Sequence, residues 1–269
     1  MHYNNISNRL KAIASMVEVG SRICDVGCDH ASLPVYLVKN NISPSAIAMD
    51  LNEGPLERAK IRIKEEGLCD LIETRKSDGL KALGIGEVEG IVIAGMGGRL
   101  IADILKKGIE AAKSASYLLL SPHSNISVVR KFLIENEFDI VDEDIVCDKG
   151  KYYFIIKAVS GSGKIAAKLC GKFPKADGGS GTGKEFWLSF GNYLPTKKNR
   201  VFVSFLEKEE KRLLKAIQMK TSGGKSGNEK LDTRGGDNTT SESRNGEVEF
   251  DLKLQLDLVR RALHLCKEL

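Results

Sequence analysis

No stretch of the 269-residue chain approaches the roughly 20 consecutive apolar residues that a membrane-spanning helix needs. The opening MHYNNISNRLKAIA carries charges where a secretion signal would hold its apolar segment, so a cytoplasmic protein without membrane association is the expectation. The six cysteines make neither a disulfide framework nor a convincing zinc set. Positions 24, 28, 69, 147, 170 and 266 are scattered, and the one close pair, Cys24 and Cys28, has C-x3-C spacing. Free thiols, buried or half-buried, are expected, with no metal. The G-x-G-x-x-G of dinucleotide-binding folds is missing, which counts against an NAD-dependent oxidoreductase. A genuine P-loop is missing too. The superficial match Gly178-x4-Gly183-Lys184 is followed by Glu185 where Ser or Thr is required, no strand precedes it, and its surroundings have the composition of a flexible linker.

What is present is an α/β pattern, with 42% hydrophobic residues to build a core and enough length for one ordinary domain plus a smaller addition. Apolar residues at 6, 10, 13, 14 and 17 follow the helical period, with Ser7 as a cap. Thereafter strands at 22–26, 45–50, 71–76, 89–94 and 116–121 alternate with helices at about 31–40, 54–66, 98–107 and 125–136. Such alternation means a mostly parallel sheet covered on both faces. The ending differs, because FDIVDEDIVCDKGKYYFIIKAV reads as two strands joined at Asp148-Lys149-Gly150, with no room for a crossover helix. The fold class is therefore a Rossmann-like α/β sheet of seven strands with a terminal antiparallel hairpin, the arrangement characteristic of S-adenosylmethionine-dependent methyltransferases.

Ligands of such sheets bind beyond the carboxyl ends of the parallel strands, where a glycine lets the backbone approach closely. Four consecutive strand ends carry suitable residues: Asp25 and Gly27, then Asp50 followed by Leu51, then Asp78 and Gly79, then Gly95, Met96 and Gly97. S-adenosyl-L-methionine carries no phosphate, so it needs carboxylates and close backbone rather than a phosphate cradle. Asp25 suits its ammonium and sulfonium, Asp50 its ribose diol, and Asp78 its adenine amino group. Asp50 alone would serve the ribose of NAD equally well.

Composition also divides the chain. Residues 1–160 read as the cofactor-binding domain. Residues 161–184 read as a linker, and 185–269 as a helical coiled-coil domain with a disordered polar insertion at about 221–247. Two helices, 199–219 and 250–266, should form a hairpin; the second carries Leu252, Leu256, Val259, Leu263 and Cys266 at heptad spacing. FDLKLQLDL also alternates as a strand would. Residues 197–220 hold eight basic and three acidic side chains, which suits a polyanion such as RNA or simply a solvated helix face.

The segments ISNRLKAIASMV, RICDVGCDHASLPVYLV, MDLNEGPLERAK, RKSDGL, IVIAGMGGRLIADIL and GKYYFI together resemble the bacterial tRNA (adenine22-N1)-methyltransferase (TrmK) family, over most of residues 6–158. WLSFGNYLP resembles that family's lead-in to a C-terminal coiled coil, whereas SPHSN at 121–125 departs from its Q-P-N-like segment. The resemblance implies methyl transfer from S-adenosyl-L-methionine to N1 of adenine 22 in tRNA, with no obligate protein partner inferred. Asp29 is then the nominated electrostatic partner or proton acceptor and His30 its orienting group; the alternatives are Asp29 binding the cofactor or capping the next helix and His30 packing beneath it. No N-P-P-Y motif follows the fourth strand, which disfavours N6 chemistry. Tyr152, Tyr153, Phe154, His123 and Asn125 are candidates to contact the target base. Lys197, Lys198, Arg200, Lys208, Lys211, Arg212 and Lys215 are candidates to grip phosphates. A small-molecule methyltransferase and a non-catalytic tRNA-binding protein are the competing functions. The first would not depend on residues 197–269, and the second would not bind the cofactor.

Overall fold

A computed structural model describes residues 6–161, 183–197, 199–223 and 239–268. Most of the expected linker, the P-loop-like match up to Thr182, Cys170, Lys198 and positions 224–238 of the polar insertion lie outside the described residues. The chain divides into two compact units, one of residues 1–172 with 191–193 and one of residues 173–190 with 194–269.

The first unit runs α1 (Asn8–Ser15), β1 (Ile23–Val26), α2 (Ser32–Lys39), β2 (Ala46–Asp50), α3 (Glu53–Glu65), β3 (Ile72–Lys76), β4 (Gly90–Ala94), α4 (Gly98–Lys107), α5 (Ile109–Ser114), β5 (Tyr117–Ser121), α6 (Ile126–Glu135), β6 (Phe138–Asp148) and β7 (Lys151–Ser160). The seven strands form one sheet in the order β3-β2-β1-β4-β5-β7-β6. Neighbours from β3 to β5 pair in parallel, and β7 runs antiparallel to both β5 and β6. The near-continuous apolar runs explain this order. Every residue of β1 and β5 is buried, as a strand covered on both faces requires, whereas edge strand β3 buries only Ile72. Between β6 and β7, Lys149 and Gly150 both have positive φ, 49° and 76°, the geometry of a two-residue hairpin turn.

Helix α1 begins as its sequence suggests, with the Ser7 hydroxyl accepting from the Leu10 amide at 3.3 Å. The chain after it is tied to the sheet through Tyr117. The Tyr117 and Ser21 hydroxyls lie 2.6 Å apart, the Glu18 amide donates to Tyr117, and the Lys157 ammonium sits 4.7 Å above the ring while pairing with Glu18. Arg130 and Glu143 form a fully buried ion pair at 2.8 Å, and Glu143 also accepts from the Asn192 amide at 3.1 Å. Helix α5 was not expected, because its six residues are too few to show a period.

The second unit contains α7 (Gly183–Phe190), α8 (Tyr193–Thr196, whose first residue belongs to the first unit), α9 (Arg200–Gly223) and α10 (Thr239–Glu268). Helices α9 and α10 pack together, burying Phe202, Leu206 and Leu213 on one and Leu256, Val259, Ala262 and Leu263 on the other. Arg260 pairs with Glu210 at 2.8 Å. Phe190 meets Phe186 and Phe202 edge to face, with centroids 5.3 and 6.1 Å apart. FDLKLQLDL is helical, so the heptad prevails over the alternation. Residues 239–247, poor in apolar side chains and expected to belong to a disordered insertion, are the first turns of α10. Among the described residues no helix is long and apolar enough to cross a membrane.

Candidate functional site

Backbone hydrogen bonds gather the carboxyl ends of the strands into one rim. The Gly27 and Cys28 amides both donate to the Met49 carbonyl, at 2.8 and 3.0 Å, hanging the loop after β1 on β2. Ser77 N–H donates to the Asp50 carbonyl at 2.9 Å, and Gly95 N–H to that of Ser121 at 3.1 Å. The loops after β4 and β5 are joined twice more, from His123 N–H to the Met96 carbonyl and from Gly98 N–H to the Ser124 carbonyl. A Cβ at Gly98 would stand 2.3 Å from the Asn125 carbonyl oxygen, so no larger residue allows this approach. Gly27 has φ +76°, and the loop it opens returns to the left-handed region at Asp29 (φ 44°) and Ala31 (φ 49°). Such conformations cost non-glycine residues about 1–3 kcal/mol each and are concentrated at functional sites.

Asp25 is only 7% exposed. Its side chain has no hydrogen bond or ion pair among the described residues. Burial pushes its carboxyl up to about 7; the charge of Arg9 opposes that rise and the charge of Asp50 adds to it. Asp50 is half-buried, and its Oδ1 accepts from the Asn52 amide at 3.0 Å. Leu51 beside it is 55% exposed, a large apolar side chain open at the rim. Asp78 is exposed and paired with Lys81 at 2.6 Å; the hydrogen bond from Lys81 holds its carboxyl below the usual range. Gly79 lies against Ile104, and the Met96 methyl occupies the space beside Gly27.

Sequence reasoning missed Arg9. Its guanidinium lies 5.2 Å from the Tyr153 ring centroid and 3.0 Å from where a Gly95 Cβ would be, so α1 delivers a cation over the ends of β1, β4 and β7. The available signal was its position inside the matched ISNRLKAIASMV segment, one step from the apolar stripe of α1.

Asp29 and His30 face elsewhere. Asp29 Oδ1 accepts from Arg58 at 2.8 Å, its other oxygen lies 3.5 Å from His30 Nε2, and both residues are half or more exposed. His30, Ser32, Arg58 and Arg62 line a cleft of about 460 Å³ between α2 and α3, where Arg62 donates to the Ser32 hydroxyl at 2.7 Å. No hydrogen bond joins Asp29 or His30 to Asp25 or Asp50 among the described residues. Tyr152 and Tyr153 are half-buried and Phe154 is buried, its ring 6.0 Å from the Arg130 guanidinium, while His123 and Asn125 are exposed. Of the nominated phosphate-binding residues, Lys197, Arg200, Lys208, Lys211, Arg212 and Lys215 are exposed. Arg212 also binds Glu209, so its charge is partly answered within the helix. Cys24 and Cys28 are buried thiols and Cys266 is half-buried, but Cys69 and Cys147 are exposed, against expectation.

A sheet of this order, with carboxylates and close-approach glycines at its carboxyl-end turns, defines a methyltransferase of the S-adenosylmethionine-dependent class. Residues 6–156 match the family described as a methyltransferase domain. The tRNA (adenine(22)-N(1))-methyltransferase of Bacillus subtilis (strain 168) is 32% identical over 203 residues, covering 76% of this chain and 80% of that one. The crystal structure of the B. subtilis M1A22 tRNA methyltransferase TrmK superposes with a TM-score of 0.77 at 26% identity, covering 97% of this chain and 99% of that one. A putative tRNA (m1A22) methyltransferase of Streptococcus pneumoniae, solved in complex with S-adenosyl-L-methionine, gives 0.73 at 30% identity, covering 97% and 100%. The chain belongs to the tRNA (adenine22-N1)-methyltransferase family.

Proposed function

We propose that the protein transfers the methyl group of S-adenosyl-L-methionine to N1 of adenine 22 in tRNA. The observation that carries the reading is the buried carboxyl of Asp25 at the end of β1, beside Asp50 and across the Gly27 turn, in a sheet closed by an antiparallel strand. The residues present fit the cofactor. Asp25, lacking a hydrogen-bond partner among the described residues, can take an ammonium. Asp50 is open enough to accept the two ribose hydroxyls, exposed Leu51 offers an apolar face to adenine, and Asp78 can accept from its amino group. Gly27, Gly79, Gly95, Met96 and Gly97 supply the close backbone around it. When bound, the cofactor supplies an electrophilic methyl group on a sulfonium.

The chain's own work is positioning and electrostatics, because a sulfonium methyl needs no further activation. Adenine N1 has a free lone pair but lies on the Watson–Crick edge, so the base must be unpaired or flipped out to reach the site. Tyr153, with Arg9 over its ring, and exposed His123 are assigned as the aromatic contacts for such a base. Methylation at N1 leaves a cationic ring; Asp29, held by Arg58 and turned away from Asp25 and Asp50, is not assigned to stabilise it. The exposed cations of α9 grip phosphates: Arg200 and Lys215 are separated by about 22 Å of helix, enough to contact several phosphates of one strand. The tRNA substrate implies a cytoplasmic protein, and no obligate protein partner is inferred.

The test is transfer of a labelled methyl group from S-adenosyl-L-methionine to an unmodified tRNA transcript, beside the same transcript with guanine at position 22. Label on the adenine transcript alone supports both reaction and target. Equal label on both discards the position, and none on either, with cofactor binding confirmed, moves the assignment to a small-molecule methyltransferase.

A further inference from the structure

Gly191, Asn192 and Tyr193 belong to the unit that contains the sheet, although Phe190 before them and Leu194 after them belong to the helical unit. A carboxylate on β6, the last strand of the sheet, holds these residues. Glu143 Oε1 accepts from Arg130 Nε at 2.8 Å, while Oε2 accepts from the Asn192 amide at 3.1 Å and the Tyr193 amide at 3.5 Å. The Tyr193 hydroxyl donates to the Ile140 carbonyl at 3.3 Å, beside the register shift between Ile140 and Asp142. Gly191 has φ +70°, and a Cβ there would collide with the Glu143 carboxylate, so the fit admits no side chain.

A buried ion pair is a poor device for stability alone, because well-packed apolar residues of similar volume often serve as well or better. Arg130 and Glu143 do what an apolar pair cannot. The guanidinium occupies one carboxylate oxygen and leaves the other to make charge-assisted hydrogen bonds with two backbone amides. We infer that Glu143, oriented by Arg130, is a positioning residue for methyl transfer: it anchors residues 191–193, giving the helical unit a second attachment besides the chain that follows β7. The inference rests on the tRNA methyltransferase reading. The methyl-donor site lies on the first unit and the phosphate-gripping cations of α9 on the second, and both must serve one tRNA. A unit tied by its covalent chain alone would hold the tRNA yet present the target adenine over a wider range of positions, which lowers rate rather than affinity.

Two variants of the full-length protein reach the anchor by different routes. Arg130→Met/Glu143→Leu removes the pair without stranding a buried charge, and Gly191→Ala displaces the segment while leaving the pair in place. In both, hydrogen exchange of peptides spanning 191–193 should accelerate about tenfold or more, and kcat on an unmodified tRNA transcript should fall about tenfold or more. Dissociation constants for S-adenosylmethionine and for tRNA should stay within about twofold of the wild type, since neither binding surface is touched. Faster exchange with unchanged kcat overturns the inference, as does unchanged exchange. Parallel loss of cofactor and tRNA binding also overturns it, because that is the signature of a merely structural role. A wild type that protects its 191–193 amides and binds cofactor but methylates no tRNA brings down the reaction assignment instead, a result distinct from these.

Discussion

Replacing Asp25 with Asn should stabilise the ligand-free protein in alkaline solution while damaging the site. Folding raises this carboxyl from its ordinary value of 3.8 to about 7, chiefly by burial. Between those values the folded state holds a proton that the unfolded chain has released. The stability is therefore complete below the unfolded value and is lost as pH rises through the folded one. The ionisation difference destabilises the folded state by about 2 kcal/mol at pH 5 and about 4 kcal/mol at pH 8. Asn removes this dependence, and whatever constant difference an amide introduces at the site does not vary with pH. Urea denaturation of the ligand-free wild type and Asp25→Asn at pH 5 and pH 8 should show the gap moving in favour of the variant by about 2–3 kcal/mol. Every other titrating group is common to both proteins and cancels. A gap independent of pH would refute the reasoning, since it would mean that Asp25 ionises in the folded protein as easily as in the unfolded chain. The same substitution should weaken S-adenosylmethionine by about 10- to 100-fold, the loss of one charged hydrogen bond.

Glu143→Ala should cost about 3–5 kcal/mol in urea denaturation, because it takes the carboxylate from the fully buried Arg130 and from the Asn192 amide; a loss below about 1 kcal/mol would show that the pair contributes little. Asp50→Asn should raise the dissociation constant of S-adenosylmethionine about tenfold or more in calorimetry, with little change in Tm, since Asp50 is half-buried and among the described residues its side chain accepts only from Asn52. Exchanging Lys208, Lys211 and Lys215 for Gln should raise KM for tRNA and flatten the salt dependence of tRNA binding by about 0.7–0.9 in the log–log slope for each phosphate no longer neutralised. Cofactor affinity should be untouched. An unchanged slope would remove α9 from the RNA interface.

The sheet was legible because its signals are local and repeated. Apolar runs at β1, β2, β4 and β5 announce strands covered on both faces, and the hairpin at Lys149-Gly150 announces the antiparallel ending. The positions of Asp25, Asp50, Asp78 and Gly95 at successive strand ends were legible for the same reason. Arg9 was not, because its importance depends on α1 lying beside the carboxyl ends of three strands that follow it in the chain, a relation with no trace in spacing. The direction of Asp29 was equally hidden, since a left-handed backbone at 29 turns its carboxylate toward Arg58 on the next helix. Helix α10 extends beyond its apolar heptad, so the pattern marked the part that packs and not the part that is merely helical.

The hydrogen bonds that join the loops after β4 and β5 are main-chain bonds. Gly98 N–H meets the Ser124 carbonyl, His123 N–H meets the Met96 carbonyl, and no side chain stands between Gly98 and the Asn125 oxygen. Such a seam is indifferent to the side chains that border it. Evolution can therefore exchange side chains between buried Ser121 and left-handed Asn125, in the segment where SPHSN differs from the family's Q-P-N-like pattern, and retune what the loop offers to an incoming base without moving the methyl-donor site. Diversity in this family should accumulate on that loop, while Gly98 stays fixed as the hinge pin that makes the experimentation harmless.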